Sequence, residues 1–167
     1  MRLTSLCYLE EDGRCLLLLR NKKAQDENRG KWIGVGGKFL PGESPEECLL
    51  REVREETGLT LLDWRFRGLI TFLTLDAAGR PDWGEYMHLF TGSRWQGQLQ
   101  PCDEGELAWV EREKLDDLPM WAGDRLFLAL LRQDRPFFSL KLVYQGEELR
   151  QVLLDGRPCS PQDPCFA

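Results

Sequence analysis

The start of the chain is built from short apolar runs broken by turn residues. Residues 3–10 and 15–20 have the length and composition of strands, and Asp12-Gly13 between them is a turn dipeptide, so an opening hairpin is predicted. The pattern then changes period. Leu49, Leu50, Val53 and Thr57 recur at helical spacing and form one core-facing stripe. Ser44 supplies a hydroxyl N-cap, Pro45 suits the first helical position and Glu47 stands three residues after the cap, so a helix is predicted to open at Pro45. Gly58 after Thr57 provides a left-handed C-terminal cap. Further strands are predicted around residues 64–75, 85–94 and 107–110, with a turn at Ala77-Ala78-Gly79 and a short helical turn over residues 111–116. Leu126, Phe127, Leu130 and Leu131 share one stripe of a second helix over residues 124–132. Residues 137–144 and 148–154, joined at Gln145-Gly146, read as a closing hairpin. Strands mixed with two principal helices predict an α/β fold with helices packed on a sheet.

Composition narrows the class. The 167 residues suit one domain with a real core, and 42% apolar with 30% charged residues argues against wholesale disorder. One domain is expected over residues 1–155, followed by a Pro- and Cys-containing tail, residues 156–167, with the composition of a disordered segment. The net charge of -6 disfavours a general binder of nucleic-acid polymers or of anionic membranes. A free nucleotide remains compatible with that charge, because a local basic pocket can overcome a modest global field. Leu16 to Leu19 is far too short to span a bilayer, and Met1-Arg2-Leu3 is not followed by a signal-peptide core, which points to the cytoplasm. Cys7, Cys15, Cys48, Cys102, Cys159 and Cys165 show no zinc-type spacing, and disulfides are not expected without a secretion signal. Cys7, Cys15 and Cys48 suit small core positions. His88, the single histidine, cannot make a zinc site alone and suits a strand. The oligomeric state is not legible in these features.

The candidate chemistry is concentrated in one run, Gly37-x5-Glu43-x7-Arg51-Glu52-Val53-x-Glu55-Glu56-x-Gly58-Leu59. A chance match to such a pattern arises roughly once per 10⁹ starting points at average residue frequencies. On the predicted helix Glu52, Glu55 and Glu56 stand at i, i+3 and i+4, so three carboxylates share a surface beside the apolar stripe. A solvated helix face would also show the i,i+4 pairs from Glu47 to Arg51 and from Arg51 to Glu55. Here, however, Gly34, Gly36 and Gly37 precede the helix and Gly42 stands at its threshold. That backbone can turn sharply and offer a carbonyl to a cation. A hard divalent ion with oxygen ligands would neutralise the crowded carboxylates and bridge to phosphate oxygens.

The run resembles the signature of the Nudix hydrolases, with every specified position present. The resemblance implies an α/β/α sandwich with a mixed β-sheet that cleaves a nucleoside diphosphate linked to another moiety, using Mg2+ or Mn2+. It makes Glu52 and Glu56 metal ligands together with the carbonyl of Gly36. It makes Glu55 a further ligand or the general base that deprotonates the attacking water. Arg51 and Glu43 become an ion pair that orients the catalytic glutamates. A fourth carboxylate often comes from a loop beyond this run in the family, and Glu104 within Pro101-Cys102-Asp103-Glu104-Gly105-Glu106 fits best, an ordinary acidic surface loop being the other reading.

Residues outside the run narrow the branch. The stretch 29–38, Trp121-Ala122-Gly123-Asp124, and the stretch 136–146 resemble MutT-like purine nucleoside triphosphate hydrolases, so the likeness spans most of residues 3–154. It implies hydrolysis of an oxidised purine nucleotide, 8-oxo-dGTP, to the monophosphate and pyrophosphate. Asp124 would hydrogen-bond a purine edge, and Trp121 and Phe72 suit either a base or the core. Lys22, Lys23 and Lys38 could meet triphosphate oxygens, although Lys22 and Lys23 equally suit a solvated loop. Ser5, Gly37 and Ile33 complete the expected substrate contacts. Mammalian members of this branch have an asparagine where this chain has Ile33, which offers no donor or acceptor, and a second aspartate where it has Gly123. Recognition of an 8-oxo group must therefore differ from theirs or be weak. The other readings are a Nudix hydrolase of a dinucleotide polyphosphate, nucleotide sugar or pterin triphosphate, and a nucleotide-sensing module without catalysis.

Overall fold

The structure is a computed structural model that describes residues 1–167. In chain order its strands and α-helices are β1 (Arg2–Glu11), β2 (Arg14–Arg20), β3 (Trp32–Ile33), β4 (Val35–Lys38), α1 (Pro45–Thr57), β5 (Thr60–Leu75), β6 (Pro81–Gln96), β7 (Gly105–Glu111), α2 (Ala122–Arg132), β8 (Phe138–Gln145), β9 (Glu148–Leu154) and β10 (Arg157–Cys159). Single 3-10 turns follow β7, at Arg112–Asp117, and β10, at Pro164–Phe166. The predicted pattern of strands and two helices is therefore present, and the pairings are mixed, with β4 antiparallel to β1 and β8 parallel to β5. Contacts divide the chain into two compact units, and the long strands β5 and β6 each give one half to either unit.

The unit formed by Thr4–Phe66 and Phe90–Met120 carries α1. The Asp12-Gly13 turn closes the β1–β2 hairpin, with Glu11 opposite Arg14. β4 lies antiparallel to β1, placing Leu6 opposite Gly36 and Ser5 opposite Gly37. β2 pairs with β7 from Arg14↔Glu111 to Arg20↔Gly105 and also carries β3. Burial of β1 from Thr4 to Leu9 on both faces explains why its sequence is a run and not an alternation. Leu49 and Val53 of α1 pack into a core with Cys7, Leu9, Leu16, Val35, Leu59, Leu61 and Phe90. Fully burying side chains of this size stabilises a fold by roughly 1.5–3 kcal/mol each, so this packing holds the short helix in place where propensity alone would not.

The other unit, Met1–Leu3, Arg67–Leu89 and Trp121–Ala167, carries α2 on strands ordered β10-β9-β8-β5-β6. β5 and β8 run parallel, from Gly68↔Phe138 to Leu75↔Gln145. Phe127, Leu130 and Leu131 of α2 are buried, as their spacing predicts. Asp76 organises the β5–β6 turn: its Oδ1 accepts from the N–H groups of Ala78 and Arg80, both at 2.9 Å, and Gly79 takes φ 78°. The tail differs from the disordered expectation. Cys159 pairs with Val152, Phe166 is buried, and Gln133 Nε2 donates to the carbonyls of Cys165 at 3.0 Å and Ala167 at 2.9 Å. One apolar side chain and a few backbone bonds suffice to dock a short Pro-rich segment, and composition does not report such contacts. No helix is long and apolar enough to cross a membrane.

Candidate active site

The carboxylates belong to the α1 unit, and local sequence explains their placement. Ser44 Oγ accepts the Glu47 N–H at 3.1 Å while Glu47 Oε2 accepts the Ser44 N–H at 2.7 Å, a complete capping box. At the other end Gly58 takes φ 76° and donates its N–H to Arg54 O at 2.9 Å. With these ends set, the helical phase that buries Leu49 and Val53 also turns Glu56 inward, leaving it 6% exposed.

Glu56 Oε2 accepts the Gly36 N–H at 2.8 Å, and its Oε1 lies 3.9 Å from Arg20 Nη1. Burial, with the nearby charges of Glu104 and Glu52 added, pushes the Glu56 carboxyl up to about 8, against the opposing Gly36 N–H and Arg20. Glu52 lies over Gly37, where a Cβ would stand 2.5 Å from its Cδ and 2.6 Å from each oxygen. Burial raises Glu52 as well, with Glu55 and Glu104 adding to the effect and Arg51 opposing it. Glycine at position 37 is what gives this carboxylate room.

Arg51 holds the outer edge. Its Nε and Nη2 grip Glu43 at 2.5 and 2.9 Å, a bidentate fork. Nη1 donates to Glu52 at 2.6 Å and to Glu55 at 3.2 Å, and Nη2 also donates to the carbonyl of Lys38 at 2.9 Å. The Arg51 hydrogen bond holds Glu43 down to about 2. Glu55 is 59% exposed. The expected ion pair of Arg51 with Glu43 is thus present, and it reaches two of the helix glutamates directly.

Glu104 also reaches this region, because β7 begins at Gly105, opposite Arg20 of β2. It pairs with Arg20 and accepts Lys23 Nζ at 2.5 Å, and its charge adds to the rise at Glu56. Burial opposes ionisation of Glu104, but Lys23 and Arg20 outweigh it and hold the carboxyl below its ordinary value. No three carboxylates converge on one point in this structure. Like charges separate and take guanidinium partners instead: Arg51 for Glu52 and Glu55, Arg20 for Glu104. The donor set nevertheless fits a hard divalent cation. Every donor is oxygen, and ionisation of the buried Glu56, which is unfavourable on its own, would be favoured by a cation beside it.

The expected substrate contacts divide. Lys38 is exposed beside the glycine turn. Lys22 Nζ donates to the carbonyl of Cys102 at 2.5 Å, and Lys23, whose side chain is still 55% exposed, pairs with Glu104. Ser5 is 3% exposed, its hydroxyl 3.3 Å from Cys48 Sγ beneath α1, which removes it from any ligand-facing position. Strand alternation decides that outcome, and it depends on the β1–β4 register. Ile33 is half-buried opposite Leu18. Phe72, Trp121 and Asp124 lie in the α2 unit. Phe72 is buried, stacked on Tyr144 at 4.8 Å and edge-on to Trp121 at 5.7 Å, and Asp124 is 5% exposed in the first turn of α2.

Two residues of consequence escaped the sequence reading. Arg20 ties Asp26, Glu104 and Glu56 together, with Nε 2.6 Å from Asp26. Its signal was a lone charge closing the apolar run Leu16 to Leu19. Tyr144 is fully buried, and its hydroxyl accepts the N–H of Gly123 at 2.7 Å. Its one signal was its place in the stretch 136–146, which says nothing of its role, since its partner is distant in sequence.

A buried glutamate on the Gly36 N–H and a second glutamate over the Gly37 turn, held by Arg51, make an oxygen-rich cluster of the kind that suits a divalent cation beside phosphate. Comparison with known proteins agrees. The family model of the NUDIX domain matches residues 2–131, and the chain belongs to the Nudix hydrolase family. It is 32% identical over 152 residues to the uncharacterized Nudix hydrolase YvcI of Bacillus subtilis, covering 89% of this chain and 91% of that one. It is 30% identical over 148 residues to the oxidized purine nucleoside triphosphate hydrolase of Danio rerio, covering 89% and 90%. The crystal structure of a MutT protein from Bacillus halodurans superposes with a TM-score of 0.83 at 27% identity, covering 95% of this chain and all of that one, 100%.

Proposed function

We propose that this chain is a magnesium-dependent pyrophosphohydrolase of oxidised purine nucleoside triphosphates, releasing the monophosphate and pyrophosphate. The observation that carries the reading is the pairing of buried Glu56 on the Gly36 N–H with Glu52 over Gly37. Glu52, Glu56, Glu104 and the carbonyl of Gly36 would hold Mg2+, with Mn2+ as a substitute. The chemistry supplied by the bound ion is neutralisation of phosphate oxygens and a more acidic water. Arg51 keeps Glu52 and Glu55 in orientation, and Glu55, the most exposed of the three helix glutamates, is free to serve as a further ligand or to accept the proton of the attacking water. Lys38, exposed beside the glycine turn, and Lys23, paired with Glu104, suit phosphate oxygens. The substrate is a free nucleotide handled in the cytoplasm, in keeping with the net charge of -6 and the absence of any paired cysteine.

The zebrafish relative supports the choice of an oxidised purine base. Ile33 weighs on the other side, since its side chain makes no hydrogen bond to a base, and it favours a second reading in which another nucleoside diphosphate derivative is the substrate. Initial rates on 8-oxo-dGTP, dGTP, CTP and ADP-ribose, with Mg2+ and with chelator, separate the two. An advantage for 8-oxo-dGTP in kcat/KM, lost with chelator, is expected. Equal rates on dGTP and ADP-ribose would defeat the proposal, and wild-type turnover in Glu56→Gln would defeat the site itself.

A further inference from the structure

α2 begins without a cap of its own. Its N-cap residue is Trp121, whose side chain makes no capping hydrogen bond, so the first N–H groups of the helix need acceptors from elsewhere. One comes from β8: Tyr144 Oη accepts the N–H of Gly123 at 2.7 Å, across 21 positions of sequence. The same ring stacks on Phe72 at 4.8 Å and meets Trp121 edge-on at 5.2 Å. The hydroxyl also lies close enough to Asp124 for that charge to add to burial in raising the phenol above its ordinary value. Gly123 is required for this arrangement. A Cβ there would stand 2.4 Å from Leu142 Cδ1 and 2.7 Å from Tyr144 Oη, so a larger residue must push these two buried side chains aside.

We propose that Tyr144 is the positioning residue of the first α2 turn, setting Trp121 and Asp124 for selection of the base. This rests on the proposed hydrolysis of an oxidised purine nucleotide, with Trp121 and Asp124 at the base as the sequence resemblance implies. Tyr144 is fully buried and acts through the turn, with no contact of its own to substrate. Its hydroxyl replaces the missing cap and its ring fixes the indole, so one side chain governs the backbone and the side-chain geometry together. Gly123 offers no carboxylate and packs against Tyr144, so selection of the base falls on Asp124 as the single acidic group of that turn.

Tyr144→Phe keeps the ring contacts and removes the acceptor. Hydrogen exchange at the Gly123 amide is expected to accelerate by at least tenfold. KM for 8-oxo-dGTP should rise about five- to tenfold and preference over dGTP should narrow, with kcat changed by less than twofold. Unchanged Gly123 exchange overturns the proposal, because the hydroxyl would then not hold the turn. Faster exchange with KM and preference unchanged also overturns it, since the bond would be only structural. Asp124→Asn in the same assays distinguishes the two readings. Loss of preference in Asp124→Asn but not in Tyr144→Phe overturns the positioning role alone. Loss in neither variant overturns the assignment of the turn to the base, and the positioning role with it.

Discussion

Two adjacent glycines should fail in opposite ways when each is changed to alanine. At Gly37 the new Cβ would stand 2.5–2.6 Å from the carboxyl of Glu52, the far end of a flexible side chain, and the backbone conformation there does not demand glycine. The carboxyl must retreat by about 1 Å to restore ordinary contact. Fold stability should change by less than about 1 kcal/mol, because a compatible Gly→Ala change removes freedom from the unfolded chain and offsets the small repacking. Turnover should fall about 100-fold, some 3 kcal/mol of barrier, since a displacement of that size misplaces a reacting group. At Gly36 the new Cβ would overlap the Ser5 carbonyl, stand 2.8 Å from its carbon and 3.0 Å from Leu6 Cα. Backbone cannot step aside without opening the β1–β4 pairing, so Gly36→Ala should destabilise the fold by about 1–3 kcal/mol. Urea unfolding and steady-state rates on the purified variants make the comparison. Wild-type turnover in Gly37→Ala, or equal destabilisation by the two changes, would refute the placement of Glu52 over Gly37 as a functional feature.

Three further outcomes follow from the same geometry. Ser44→Ala removes half of the capping box and should cost about 1 kcal/mol of stability, read as a lower urea midpoint, with the remaining folded protein still active. Arg51→Lys replaces a fork bound to Glu43, Glu52 and Glu55 by a single point charge, and a ten- to hundredfold fall in kcat is expected, on the order seen when groups supporting metal ligands are lost. In the metal-free protein the Glu56 carboxyl titrates near 8, above the unfolded value near 4.5. The folded state therefore binds the extra proton between those values, and stability should fall as pH rises through that window, by at most about 1.4 kcal/mol per pH unit. Glu56→Gln should abolish the fall. A flat pH profile in the metal-free wild type would contradict the burial of this charge.

What could be read from the chain alone was local. Ser44, Pro45, Glu47 and Gly58 specify both ends of α1, because capping involves residues within one helical turn. The i, i+3 and i+4 spacing of Glu52, Glu55 and Glu56 places them on one surface whatever the helix packs against. The β9 boundaries and the buried stripe of α2 follow from equally short-range periodicity. Those features were enough to point to the reaction class and the glutamates behind it. The tertiary structure decided everything that depends on register or on partners far apart. It turned Ser5 to Cys48, drew Lys22 and Lys23 onto the Glu104 loop, joined Arg20 to Glu104 across 84 positions, and set Tyr144 against Gly123. It also docked the tail through Phe166, where composition suggested no structure. The division has one physical cause: a helix carries its hydrogen bonds and side-chain neighbours within a few residues, whereas strand pairing and ion-pair partners are chosen only when distant segments pack together.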